Sequence, residues 1–224
     1  MSSRRPIVSD HQPSVAHQHQ FDDAEQQYEA SNLGMWTFLI TEIMFFGGLF
    51  TLFAVYVSVH SEAFAEGSKH LDLLLGTTNT AVLIGSSFTM AMAVRSAQMG
   101  RRKTQVLFLT LTLLLGLAFL GIKAIEYTHK FEQHLVPGPN FSFPSPVAQN
   151  VQLFFSFYFT MTGMHALHMI VGVVLLAILI VQAWRGRYTA EYFTPVEISG
   201  LYWHFVDIIW IFLFPLLYLV ARHA

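Results

Sequence analysis

The chain contains no cysteine, which excludes a disulfide framework, a thiolate metal site, an iron–sulfur cluster and a cysteine nucleophile together. Any metal would have to rest on histidines or carboxylates. Charge is scarce as well: Asp, Glu, Lys and Arg make up 12% of the 224 residues against 54% hydrophobic residues, a balance too apolar for an ordinary soluble domain. The mean hydropathy of +0.48 points the same way, to a membrane protein. A basic field is missing too, because a formal charge of −2 and a pI near 6.6 offer no electrostatic footprint for nucleic acid. The first thirty residues lack the basic-then-apolar pattern of a signal peptide, so the first span is expected to act as the insertion signal.

What is present is one polar stretch followed by five apolar ones. Residues 1–32 read as a polar tail with few branched aliphatic residues, unable to bury a core alone; any order it takes is expected from a neighbouring chain. Its His11, His17 and His19 are read as solvated rather than as metal ligands. Residues 33–224 form the membrane domain, with apolar runs at 33–58, 73–94, 104–122, 151–184 and 198–221, each long enough to cross a hydrocarbon core of about 30 Å. The expected fold class is all-α, a bundle of five transmembrane helices. The fourth run exceeds the length needed and is expected to tilt or project. The second is small and polar, with Gly76, Thr77, Thr78, Asn79, Thr80, Gly85, Ser86 and Ser87, and reads as a helix packed inside the bundle. No internal repeat is visible, which gives an inverted-repeat transporter little support.

Basic residues sort unevenly between the two sides. Arg4, Arg5, Arg95, Arg101, Arg102, Lys103, Arg185 and Arg187 fall on one side, Lys69, Lys123, Lys130 and Arg222 on the other. The positive-inside rule then puts the N-terminus in the cytoplasm and the C-terminus in the periplasm. The outer connection at 130–150 carries Pro137, Pro139, Pro144 and Pro146 around Gly138 and reads as an ordered loop without regular structure.

Ionisable groups inside spans cost a few kcal/mol and persist where they face protein or water. They are few here: Glu42 in the first span, Lys123 and Glu126 closing the third, His165 and His168 in the fourth, His204 and Asp207 in the fifth. Lys123 and Glu126, three apart, can pair locally or snorkel; Lys123 is read as an anchor and Glu126 as a helix-end carboxylate. His204 and Asp207 share one helix face, as do His165 and His168. Glu42, His168 and Asp207 are expected to meet at one depth in a hydrogen-bonded cluster, with His168 preferred over His165 as one turn deeper. His165 and His168 on one face cannot bracket a porphyrin. A non-haem metal could take two histidines and a carboxylate, but the further His pairs of a di-iron membrane hydroxylase are missing. The expectation is no catalytic residue and no metal in this chain.

Several motifs then align in order. Residues 200–210 read Gly-Leu-Tyr-Trp-His-Phe-Val-Asp-Ile-Ile-Trp, residues 163–172 read Gly-Met-His-Ala-Leu-His-Met-Ile-Val-Gly, and residues 37–46 read Thr-Phe-Leu-Ile-Thr-Glu-Ile-Met-Phe-Phe. Together with Ile125-Glu126-Tyr127 and the pairs Asn79-Thr80 and Ser86-Ser87, this pattern closely resembles subunit III of the haem–copper terminal oxidases, the cytochrome c oxidase subunit 3 family. The likeness runs over about residues 33–221. It is closest to the five-helix bacterial form, since the two additional N-terminal helices of mitochondrial members are missing, and with them support for the lipid-filled cleft that those helices help form.

The resemblance implies a protein without redox centres of its own. Its partners would be the catalytic subunit I and subunit II, which hold the haem and copper, with a larger respiratory supercomplex as a further assembly in a bacterial inner membrane. It would bind phospholipid and support proton uptake, with Glu42 toward the proton-entry side of the catalytic subunit and His165, His168, His204 and Asp207 in the same polar group. An aa3-type enzyme using cytochrome c is the expected complex. Subunit III of a quinol oxidase, or an accessory protein of a nitric oxide reductase, is the alternative. A rival of another class is an independent proton channel or transporter built on Glu42, His168 and Asp207.

Overall fold

The computed structural model describes residues 24–144 and 146–220. The tail histidines His11, His17 and His19, with Arg4, Arg5 and Arg222, lie outside the described residues. Regular structure among the described residues is wholly helical, in the order α1 (Ala24–Val59), α2 (Ser61–Lys69), α3 (Leu73–Gln98), α4 (Arg102–Glu132), α5 (Ala148–Trp184) and α6 (Thr194–Tyr218). All but α2 are long and apolar enough to cross a membrane. The five-span, all-α architecture is therefore the one expected. At 37 residues, α5 measures about 55 Å at 1.5 Å per residue, well beyond one hydrocarbon core, in keeping with its long apolar run.

Three boundaries differ from the hydropathy reading. The first helix starts at Ala24, inside the stretch read as tail, because Ala, Glu and Gln are good helix formers that extend a helix already nucleated by the apolar run. The third span runs on to Glu132 instead of stopping before Lys123. Between the first two spans lies the short α2, which hydropathy cannot see; it turns Ala63, Phe64, Ala65, Gly67 and Ser68 inward. The proline-rich connection is irregular, as expected, and begins after the α4 cap at Gln133.

The spans pack along seams with alternating steps of three and four residues. On α3 the buried line runs Gly76, Asn79, Leu83, Ser86, Met90, Ala93 and Ala97. On α4 it runs Gln105, Leu109, Thr112, Gly116, Phe119, Lys123, Glu126 and Lys130. A repeat of 3.5 residues keeps one seam facing its neighbour in a left-handed bundle. Polar side chains lie on these inner seams, while Leu107, Leu111, Leu114 and Leu117 of α4 face outward, the arrangement that lipid surroundings require. The spans α3, α4, α5 and α6 form a ring in which α4 and α6 stand on the diagonal, and α1 lies outside it against α6 and α5.

The aromatic residues of α6 fill the centre of that ring. Trp203 is 1% exposed, its ring held between Gly116 of α4 and Gly172 of α5. A Cβ would meet the indole at 2.7 Å from Gly116 and 2.8 Å from Gly172, so neither site admits even alanine without displacing a rigid ring. The indole N–H donates to Ser86 Oγ of α3 at 2.8 Å. One side chain thus touches three other spans. Seven residues on, Trp210 donates to Thr80 Oγ1 of α3 at 3.1 Å and meets Phe119 of α4 edge-on at 4.8 Å.

The helix ends are closed locally. Asp72 caps α3 by accepting from the N–H groups of Leu74 and Leu75. Helices α3, α4 and α5 each finish in a paired-carbonyl cap with a left-handed residue: Gly100 (φ 65°), His134 (φ 55°) and Gly186 (φ 75°). Only glycine adopts that conformation without a Cβ penalty.

Two expectations follow, both read from thermal unfolding of the purified chain in detergent. Gly116→Ala should destabilise by about 1–3 kcal/mol through overpacking, while Gly121→Ala on the same helix, where a Cβ meets nothing within 4 Å, should be neutral or stabilising. His134→Gly should raise stability by about 1 kcal/mol by relieving the left-handed backbone. Equal effects at Gly116 and Gly121, or a loss at His134, would contradict the packing described.

Candidate functional site

Two charged groups lie within the membrane part, one sealed and one open at the side of the bundle. The sealed group is centred on Lys123, which is 4% exposed. Its ammonium donates to Glu126 Oε2 at 2.9 Å, to Tyr158 Oη at 3.2 Å and to Tyr218 Oη at 3.1 Å. Those are three acceptors for three N–H groups. Tyr218 in turn donates its hydroxyl proton to Glu126 Oε1 at 2.6 Å. The rings of Trp210 and Tyr158 stand 5.1 and 5.0 Å from the ammonium, within cation–π range. Lys123 is therefore not a snorkelling anchor, and Glu126 is not at the helix end. Both continue the inner seam of α4, so the helix runs on for nearly two turns past Glu126.

The open group joins α1 to α5. His168 Nε2 lies 3.2 Å from Glu42 Oε2, with the two side chains 14% and 19% exposed. His168 Nδ1 lies 2.9 Å from the Met164 carbonyl, which can only accept, so Nδ1 carries a proton. The Nε2–Oε2 contact then ties the imidazole of α5 to the carboxyl of α1. The backbone carbonyl of His168 accepts from the Tyr202 hydroxyl of α6 at 2.9 Å, and the ring meets Phe46 edge-on at 5.4 Å. The preference for His168 over His165 as the partner of Glu42 agrees with this geometry.

The larger cluster does not form. Asp207 is 3% exposed and lies on the face of α6 turned to Ser87 of α3, away from the α1 side where Glu42 lies. His204, one turn earlier, uses Nδ1 to bond Ser87 Oγ of α3 at 2.7 Å. His165 is 1% exposed and packs on Phe119 and Trp210, with neither ring nitrogen bonded. Among the described residues no three His, Cys, Asp or Glu side chains converge as metal ligands do. The residues present do not fit a haem or copper site either: the three span histidines point to α1, to the ring centre and to α3.

Sequence reasoning passed over the Lys123 cage and the role of Lys130, whose ammonium donates to the His70 carbonyl at the end of α2. The signal was available in the α4 seam, where Lys123, Glu126 and Lys130 keep the three-four spacing of Gly116 and Phe119. Charge alone made them look like the end of a span.

The described residues define a class, the polytopic helical membrane protein with polar groups held between its spans. The comparisons narrow it. The family model for cytochrome c oxidase subunit III matches residues 15–222, and the chain belongs to that family. It is similar to a cytochrome bo(3) ubiquinol oxidase subunit 3 from Pseudomonas aeruginosa, 32% identical over 92% of each chain. It is 34% identical to a cytochrome c oxidase subunit 3 from Thermostichus vulcanus, over 90% of this chain and 92% of that one. A quinol oxidase subunit 3 from Bacillus subtilis is 29% identical over 91% and 96%. The chain is thus subunit III of a haem–copper oxidase and a multi-pass membrane protein.

The Lys123 cage makes its own prediction. Lys123→Met should destabilise by about 3–5 kcal/mol, because it strands a buried carboxylate, whereas the double change Lys123→Met with Glu126→Gln should recover most of that loss. Thermal unfolding of the single and double variants decides it; a double variant no better than the single would contradict a paired charge.

Proposed function

We propose that this chain is the non-redox third subunit of an aa3-type cytochrome c oxidase in a bacterial inner membrane, where it supports the catalytic subunit by scaffolding, by holding phospholipid and by assisting proton uptake. The observation that carries the proton part is the Glu42–His168 pair. It holds one proton in either of two neutral arrangements, imidazolium with carboxylate or imidazole with carboxylic acid, and its partial exposure leaves it within reach of a neighbouring subunit or water. A pair of that kind passes from one negative charge to none as it gains a proton and back again as it gives it up, so uptake lowers the charge carried in the membrane. It acts by local electrostatics next to the catalytic subunit, since among the described residues the hydrogen bonds of Glu42 and His168 lead on only to the Met164 carbonyl and the Tyr202 hydroxyl.

The N-terminus is assigned to the cytoplasm and the C-terminus to the periplasm, on the eight-to-four division of Lys and Arg. Subunits I and II are the assigned partners, with haem and copper on those chains. Cytochrome c is the assigned donor; quinol is the alternative, favoured by the ubiquinol oxidase relative that covers this chain as fully as the cytochrome c relative does.

Glu42→Gln keeps the shape of the side chain and its bond to His168 but removes the titrating group. In the assembled oxidase, turnover should stay within about twofold at neutral pH and fall more steeply than wild type toward alkaline pH, where protons are scarce. A pH profile of oxygen consumption identical to wild type would exclude the proton-uptake role. Protease added from the periplasmic side should spare residues 1–23; their removal would reverse the assigned orientation.

A further inference from the structure

A serine hydroxyl has one proton to give and two lone pairs to receive, so it can stand between two titratable groups and pass a proton from one to the other. Ser87 of α3 stands in that position. Its Oγ lies 2.7 Å from His204 Nδ1 on α6, and the Asp207 carboxyl, one helical turn further along α6, is turned to the same hydroxyl. These three residues are separate from the Glu42–His168 pair, which joins α1 to α5, and from the Lys123 cage, whose ammonium already has its three acceptors. The function proposed above gives them no part.

Exposure is graded along the set. Asp207 is buried, Ser87 and His204 are half-buried, and their neighbours Phe88 of α3 and Ile208 of α6 are exposed on the outside of the bundle. His204 Nδ1 is engaged by Ser87, while Nε2 meets no partner among the described residues and is the outer end of the set. Few charges face it. The α3 span has no ionisable side chain between Asp72 and Arg95. Lys123 and Glu126 of α4 are bonded to each other, as are Glu42 of α1 and His168 of α5. His165 of α5 packs on Phe119 and Trp210, and Glu197 lies back in the first turn of α6. A carboxylate at Asp207 therefore faces a hydroxyl dipole and no cation, so gaining a proton removes a buried charge.

We propose that His204, Ser87 and Asp207 form a second proton-holding site, which loads a proton from the α3–α6 side of the bundle onto the buried Asp207. A proton from outside bonds to the lone pair of His204 Nε2. The Nδ1–H bond then breaks as its proton passes to Ser87 Oγ, and Ser87 gives its own hydroxyl proton to the Asp207 carboxylate. The imidazole ends neutral with its tautomer reversed, the hydroxyl is restored, and one carboxylate has become a carboxylic acid. Unloading runs the three transfers backwards, and no electron moves. A set that only tied α6 to α3 would need the Ser87–His204 bond alone, with no use for a carboxyl group behind the hydroxyl. The inference rests on the proton-uptake reading for its use in the oxidase, but it does not depend on Glu42.

The test uses the full chain in detergent and the infrared C=O stretch of its carboxylic acids, followed against pH and after transfer to heavy water. Wild type should show a buried aspartic acid band that is lost in Asp207→Asn and that exchanges its proton for deuterium. Exchange at that band should slow at least about tenfold in Ser87→Ala, the scale of one hydrogen bond lost from the path. It should slow likewise in His204→Phe and recover in Ser87→Thr, which keeps a hydroxyl. Glu42→Gln should alter neither the band nor its exchange, so this site and the Glu42 reading stand or fail separately. Should Asp207→Asn not fold, isotope-labelled aspartate identifies the band, because Asp72 is exposed and the buried Glu126 is a glutamate. Absence of a buried aspartic acid band at every pH would overturn the proposal. So would exchange as fast as wild type in folded Ser87→Ala and His204→Phe, which would leave Ser87 as a tie between two helices.

Discussion

A lysine ammonium inside an apolar bundle must place every one of its protons on an acceptor, and this requirement fixes how three of the spans stand. Lys123 of α4 reaches Glu126 on its own helix, Tyr158 on α5 and Tyr218 on α6. Burying either charge alone would cost several kcal/mol, so the tyrosines cannot withdraw without exposing an unsatisfied ion. The rest of the ring follows. With α4 and α6 held on the diagonal, the space between them takes the large side chains of α6, and Gly116 and Gly172 are the positions that leave room for Trp203. Ser86 and Thr80 on α3 then complete the indole hydrogen bonds.

This division of polar groups bears on function. The Lys123 group is saturated and enclosed, which suits a structural tie. Glu42 and His168 sit at the seam where α1 meets the ring, paired at 3.2 Å and partly exposed. His165 is buried without a protein hydrogen-bond partner and Asp207 faces Ser87 of α3, so neither joins the open pair. A subunit built in this way has an enclosed polar tie inside the ring and one partly exposed polar pair at the seam with α1.

Much of this was legible in the sequence, for identifiable reasons. Five apolar runs give five spans because the bilayer thickness sets a minimum length that few soluble helices meet. The contact between Glu42 and His168 was legible because intramembrane charges are rare and must find each other. What hydropathy concealed was direction around the helix. Asp207 and His204 lie early in α6, at a depth compatible with Glu42, but the rotation of α6 turns them toward Ser87 on α3. Depth can be counted along a sequence; rotation depends on packing, here on which face of α6 carries Trp203. Lys123 was misread for a related reason, since a span was assumed to end at its first charge when the seam spacing carried it inward. The helical start at Ala24 and the short α2 were hidden because neither is apolar enough to stand out.

The account stands on one claim above the others: this chain works within an oxidase and holds no redox centre. The direct measurement is purification of the tagged chain from its native membrane in mild detergent, with a reduced-minus-oxidised spectrum taken before and after the chain is separated from whatever accompanies it. The account predicts that haem-bearing subunits travel with the chain, that the preparation consumes oxygen, and that the separated chain has no haem absorption. A chain that purifies alone in good yield and carries haem absorption, or that conducts protons by itself in liposomes, would contradict it.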